Sequence, residues 1–176
     1  LRVELTLPAD SVTALNDPQT FRTYVPGQVK IVSTTASSPL LDVNVKLKGS
    51  TSMSALRATP SFKIRFKKDV AGQGYLGLRR MTLNAMTQDT SKLHEFGAYA
   101  LFNAMNIPAS KTGWAKVMVN GISKGLYVNI EQPDQIFMAK HFRDITQHVY
   151  EGIAMKDFKP GNDDGAEQSG AFLTDY

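Results

Sequence analysis

Asn120-Gly121 stands between two runs of alternating residues, Gly113 to Val119 and Ile122 to Ile130. Both residues of that dipeptide tolerate the positive φ of a two-residue hairpin turn, so the runs are expected to pair as antiparallel strands. A lone hairpin is at best marginally stable, so it must join further strands that share an apolar face. The chain supplies them. Leu1, Val3, Leu5 and Leu7 alternate with polar residues; Leu41, Val43, Val45 and Leu47 alternate with Asp42, Asn44, Lys46 and Lys48; Phe62, Ile64 and Phe66 alternate with Lys63, Arg65 and Lys67. Shorter strands are expected over Gln28 to Thr34, Met81 to Ala85 and His148 to Met155.

Helical spacing is concentrated in one segment. Leu93, Phe96, Ala100, Leu101 and Ala104 recur at the helical period, Thr87 to Ser91 offers N-cap candidates, and Pro108 ends the run. The expected helix reaches from about Asp89 to Asn106. A shorter one is expected over Asp134 to Phe142, and Asp10 to Tyr24 reads as loop or a short helical turn. Glycine-bearing loops cover Asp69 to Leu78 and Lys159 to Gly170. Strands in runs with one main helix imply an α+β fold, a mainly antiparallel sheet with that helix packed on it. The 176 residues suit a single domain, with 159–176 a loop or boundary to a missing C-terminal half.

Charge and composition narrow the function. With no cysteine there is no disulfide, thiolate metal site or cysteine nucleophile. No apolar run approaches the roughly 20 residues of a membrane span. The chain opens on Leu1 with no basic-then-apolar leader, so a piece of a longer protein is expected. Cations cluster between Lys46 and Arg80, where Asp69 is the single acid, and acids gather after Phe142. Such a basic face serves a polyphosphate, a nucleotide or an acidic partner, or is merely a solvated strand face. Nucleic acid is not expected, since neither a recognition-helix pattern nor paired strand aromatics appear.

Lys48-Gly49-Ser50-Thr51-Ser52 joins an alternating strand to the one carrying Lys63. Backbone N–H groups of a small-residue loop, the hydroxyls of Ser50 and Ser52, and a strand lysine can together hold phosphate oxygens; an ordinary turn uses the same residues. Lys63 is the foremost candidate for a phosphate contact, with Arg65 and Lys67 on its face as alternatives; a solvated lysine on an outer strand face is the other reading. Glu131, ending the hairpin strand, suits a carboxylate paired across the sheet, and Glu95, in the main helix, is a solvated charge or an ion-pair partner for Lys63. His94, His141 and His148 lack metal-ligand spacing, Asp163 and Asp164 sit in a solvated loop, and no metal ligand is assigned. Trp114 and Tyr127 suit packing across the hairpin.

The order of these features resembles the CotH (spore coat protein H) kinase-like family over roughly residues 41–155. The features are Lys48-Gly49-Ser50-Thr51-Ser52, Phe62-Lys63-Ile64-Arg65-Phe66, Leu76-Gly77-Leu78, Thr82-Leu83-Asn84, Asp89-Thr90-Ser91, Pro108-Ala109, Val119-Asn120-Gly121, Gly125-Leu126-Tyr127, Glu131 and Tyr150-Glu151-Gly152. The resemblance implies the N-terminal, nucleotide-facing lobe of an atypical protein-kinase-like fold. It implies transfer of phosphate from ATP, with magnesium, to surface or spore-coat proteins, and a location outside the cell. The implied nucleotide-binding residues are Gly49, Ser50, Ser52, Lys63 and Glu131. The family's catalytic and metal-binding acids would lie beyond this stretch, so the fragment alone is expected to be inactive. The other implied reading is a non-catalytic adhesin or assembly module that binds host or surface proteins.

Overall fold

The computed structural model describes residues 1–49, 52–66, 77–146, 149–150 and 167–168. The chain divides into two compact units, Leu1–Gln132 and Pro133–Tyr176. The first contains β1 (Arg2–Thr6), α1 (Ala9–Asn16), β2 (Val25–Val32), β3 (Leu41–Lys48), β4 (Ser61–Phe66), β5 (Arg80–Asn84), α2 (His94–Ala104), β6 (Thr112–Val119) and β7 (Ile122–Ile130). The second contains α3 (Gln135–His141), capped by the Asp134 carboxylate on the N–H groups of Ile136 and Phe137, and a two-stranded pair, β8 (Val149–Tyr150) with β9 (Glu167–Gln168). The rest of the strand expected over His148 to Met155 lies outside the described residues, as do Lys67, Asp163 and Asp164. Among the described residues no helix is long and apolar enough to cross a membrane.

The first unit corrects the expected α+β architecture. Its strands form a closed barrel in the order β1-β2-β3-β4-β5-β7-β6, not a sheet with a main helix packed on it in the manner of a kinase lobe. Neighbouring strands run antiparallel except at the closure, where β1 lies parallel to β6 with Val3 opposite Val117 and Leu5 opposite Val119. The physical reason is where the apolar faces find cover. Val3, Leu5, Val29, Ile31, Val43, Val45, Leu47, Phe62, Ile64, Leu83, Val117 and Tyr127 are all almost fully buried in one cluster. The sheet thus buries its inner face against itself. The helix is not needed for that core, and α2 has no buried residue.

Instead α2 sits outside the barrel. Phe96 and Tyr99 pack on a second, smaller cluster of Met86, Val128 and Ile130, and Phe96 stacks on Trp114 with ring centres 5.0 Å apart. The helix is shorter than expected because the segment before it is used as a cap. Asp89 accepts the His94 backbone N–H at 2.9 Å, and Lys92 takes a positive φ of 62° while its ammonium bonds the carbonyls of Ala85 and Met86.

The hairpin forms where expected. Asn120 and Gly121 have φ of 47° and 79°, the double positive of the tight turn. The Asn120 amide also reaches β1's end: its Oδ1 accepts the Leu7 N–H at 2.7 Å and its Nδ2 donates to the Leu7 carbonyl at 3.0 Å. Along β7 the register slips between Val117 and Met118 of β6, leaving Lys124 as the extra residue of a bulge. Its ammonium bonds the carbonyls of Leu56 and Ala58 at 2.6 and 3.1 Å.

Candidate functional site

Strand alternation sorts the polar residues of β3, β4 and β5 onto the outer surface of the barrel. Lys48 stands opposite Ser61, Lys46 opposite Lys63, and Lys63 opposite Thr82. The Ser61 hydroxyl is buried; it donates to Asn84 Oδ1 at 3.0 Å and accepts the Ala85 N–H at 2.9 Å. Asn84 then donates through Nδ2 to Glu95 Oε2 at 2.6 Å. A hydrogen-bonded chain therefore runs from β4 through β5 to the first turn of α2. Lys48 lies beside it. Burial lowers the Lys48 pKa, and the negative charge of Glu95 acts against that fall. This half-buried lysine lies within the electrostatic reach of a helix carboxylate that is itself held by an amide.

Lys63 is half-buried one row away on the same outer face. The next outward residue of β5, Thr82, donates to Gln132 Oε1 at 3.1 Å. The structure thus groups Lys48, Lys63, Asn84 and Glu95 on one surface.

The loop after β3 begins at Gly49, whose φ of 142° excludes most side chains; a Cβ there would lie 3.0 Å from the Met53 nitrogen. Glycine lets the chain fold back closely over itself. Ser52 is half-buried, and Ser50 lies outside the described residues. Further along, the Ser54 hydroxyl is buried with no hydrogen-bond partner among the described residues. Such a group is costly to bury unless something meets it. The remainder of the loop is anchored: Leu56 N–H to the Leu15 carbonyl at 3.0 Å, Arg57 N–H to Asn16 Oδ1 at 2.7 Å, and the Tyr127 hydroxyl to the Pro60 carbonyl at 3.0 Å.

Glu131 follows β7 directly. Its N–H donates to the Lys111 carbonyl at 2.8 Å, and its carboxylate accepts the Lys111 N–H at 3.0 Å. These bonds extend the β6–β7 ladder by one residue.

Asp89, Ser91 and His94 also meet, but not as a charge relay. Asp89 Oδ1 and the Ser91 hydroxyl both contact the same ring nitrogen, His94 Nδ1, at 2.7 and 3.3 Å, and the Ser91 hydroxyl lies 2.6 Å from Asp89 itself. A relay requires opposite ring nitrogens for its two partners. The group is a cap on α2. His141 lies against Phe137 within α3, with ring centres 4.6 Å apart, and His148 is outside the described residues. Trp114 and Tyr127 serve packing, the first on α2 and the second inside the barrel.

Ser61 and Asn84 were not singled out as site residues. Asn84 entered only as part of the Thr82-Leu83-Asn84 strand that carries the family resemblance. Nothing local in the sequence links it to Glu95, which lies eleven residues on across a turn.

The family model described as CotH kinase protein matches residues 45–175. No curated protein matches the chain.

Proposed function

The chain belongs to the CotH kinase family, and from that premise we propose that it serves ATP-dependent phosphorylation of spore-coat or other surface-exposed proteins, outside the cell. In this reading Lys48 and Lys63 meet the nucleotide phosphates. The loop from Gly49 through Ser50 and Ser52 to Ser54 supplies N–H and hydroxyl donors, and Glu131 borders the nucleotide. Transfer of a phosphoryl group depends on positioned charge more than on covalent chemistry of the protein. The observation that supports the reading is the Lys48–Glu95–Asn84–Ser61 constellation. It holds a partly desolvated ammonium beside Gly49, and in the loop that follows the Ser54 hydroxyl is buried with no hydrogen-bond partner among the described residues. Among the described residues no group of three His, Asp or Glu could hold a metal ion, so no residue is assigned to magnesium.

One feature favours the second reading, a binding module of the same family. The α2 surface and its end expose Leu101, Phe102, Met105 and Ile107, and a contiguous apolar patch marks an interaction surface. Titration of ATP against the wild type, Lys48→Met and Lys63→Ala separates the two. The kinase reading expects binding that weakens with salt, because the attraction is between partly exposed charges, and that falls in both variants. Indistinguishable curves for all three proteins would remove the nucleotide site and leave the binding module.

A further inference from the structure

α2 has no buried residue, yet its composition is that of a core helix. From Leu93 to Ser110, Glu95 is the only Asp, Glu, Lys or Arg. One side of the helix is used. Phe96 and Tyr99 pack on the barrel's outer cluster, and Asn103 Nδ2 donates to the Ser110 carbonyl at 3.3 Å. The other side presents Gly97, Ala98, Leu101 and Met105, all exposed. Leu101 and Met105 are 58 % and 61 % exposed, and Leu93, Phe102 and Ile107 flank them, exposed as well. The solvent side of a helix is ordinarily charged or polar. Gly97 is a second anomaly. Glycine inside a helix lowers stability relative to alanine, and a Cβ at Gly97 would meet nothing within 4 Å among the described residues. Nothing in the described fold asks for glycine there.

We propose that α2 packs antiparallel against α2 of a second copy of this chain. Ala98, Leu101 and Met105 follow one another at spacings of three and four residues, the seam of a helix pair. In an antiparallel pair centred near Leu101, Met105 of each copy reaches the Gly97–Ala98 turn of the other. Ridge meets hollow twice about one two-fold axis, as a closed dimer requires. Charge favours the same occupant. A two-fold contact sets each charge of a face near its own copy, and like charges there cost affinity. The chain carries a net charge of +4, and Lys30 and Lys116 stand exposed on the strands. The outer face of α2 carries no such charge and meets its copy without repulsion. The same neutrality gives a foreign partner no charge by which to be selected. Five large side chains about half exposed put the face near the top of the roughly 300–600 Å² found for the largest patch on a monomer. Two such faces bury about 1,000 Å², the size a specific interface must clear. A lipid surface is a poorer match, since helices that lie on membranes carry Lys and Arg on their polar side and α2 has neither. The dimer deepens the binding-module reading by naming what α2 binds, and it stands with or without a nucleotide site.

The test is analytical ultracentrifugation of the full chain from about 1 μM to 1 mM, where a monomer–dimer equilibrium with a single Kd is expected. Leu101→Glu/Met105→Glu sets four carboxylates along the seam of the pair and raises that Kd at least about tenfold. Gly97→Leu fills the hollow. It raises the Tm of the monomer, because leucine favours the helix and finds open space, and it weakens the dimer; it carries the decision if circular dichroism shows the first variant unfolded. The chain has no cysteine, so Leu101→Cys supplies a single thiol, which should oxidise to a covalent dimer faster than Lys30→Cys at equal concentration. ATP titration of Gly97→Leu matches the wild type, so failure of the nucleotide site and failure of this contact are read apart. Hydroxyl-radical oxidation of Met105 in dilute protein distinguishes the other occupants. A monomer throughout, with Met105 readily oxidised, overturns the dimer and leaves the face to a foreign partner. A monomer with Met105 protected shows that other parts of the same chain cover it, and overturns the binding-module reading as well. A dimer that both variants leave intact lies on another surface and overturns the proposal.

Discussion

Substituting Asn120 tests whether one side chain holds the barrel shut. Its amide makes both bonds to the backbone of Leu7, at 2.7 and 3.0 Å, and Leu7 is buried. Asn120→Gly removes both bonds yet keeps the positive φ of 47° easy. At about 0.5–1.5 kcal/mol per hydrogen bond, the loss is about 2 kcal/mol. Asn120→Asp keeps the acceptor for the Leu7 N–H but loses the donor, so about half that loss is expected. Asn120→Ala loses both bonds and adds about 1–2 kcal/mol for a left-handed backbone on a residue with a Cβ. For a unit of this size 1 kcal/mol shifts Tm by about 4 °C. The order of Tm should therefore be wild type, Asp, Gly, Ala, with Gly about 8 °C below wild type. Trp114, stacked on α2 against the barrel, reports the transition by fluorescence. Hydrogen exchange at the Leu7 amide should quicken in the Gly variant before other β1 amides do. A Gly variant as stable as wild type, or Gly and Ala variants equal to each other, would refute the assignment of closure to this amide.

Other substitutions probe the loop, the cap and the site. Tyr127→Phe leaves the Pro60 carbonyl without its buried partner and should cost about 1–2 kcal/mol by urea unfolding. Burial raises the Tyr127 pKa well above 10.0. Its contribution is therefore complete below pH 10 and lost as pH rises through the folded value. Wild-type stability should fall with pH above 10 more steeply than that of Tyr127→Phe, and parallel slopes would contradict this. Asp89 is held well below the ordinary carboxylate range, first by the Ser91 hydroxyl and then by the His94 N–H and ring. Its stabilisation of α2 is present above the unfolded value near 3.9 and lost as pH falls through the folded one. Far-UV circular dichroism should show the wild type approaching Asp89→Asn in acid; a constant gap between them would count against the cap. Glu95→Gln removes the charge that opposes the burial-driven fall of the Lys48 pKa. Lys48 should then acylate faster at fixed pH, read by mass spectrometry, and an unchanged rate would show that Glu95 does not act on it.

Period-two patterning made most of the barrel legible as strands. The bounds read for the third strand, Leu41 to Lys48, are those observed, and Asn120-Gly121 turns as its chemistry requires. What patterning cannot show is what covers the apolar face. Leu41, Val43, Val45 and Leu47 would alternate identically beneath a helix or inside a barrel. The contact that decides is the parallel pairing of β1 with β6, joining residues over a hundred positions apart, and no local preference encodes it. The helix was read too long because Leu93 fits its period and Pro108 was taken as its stop, yet Leu93 is exposed and the helix ends at Ala104. Among the residues proposed for the site, Lys63 and the Gly49 loop were suggested by strand alternation and small-residue content. Lys48 was visible as the cation before the glycine. Its electrostatic relation to Glu95 was not, because that carboxylate stands on a helix distant in sequence and is held there by Asn84, a residue whose type alone gives no reason to expect the contact.

The parallel closure also sets a timetable for biosynthesis. Leu7 waits for a partner 113 residues later in the chain. At about 5–20 residues per second, a ribosome takes on the order of ten seconds to deliver it. During that interval β1 can pair with β2 but has one unpaired edge, the kind of surface on which nascent chains aggregate. Closing so long a loop is slow for entropic reasons as well. The β6–β7 hairpin is local and quick to form. The last event is therefore the docking of a finished hairpin onto a waiting first strand, and chaperones that shield strand edges should engage this chain from its amino-terminal end.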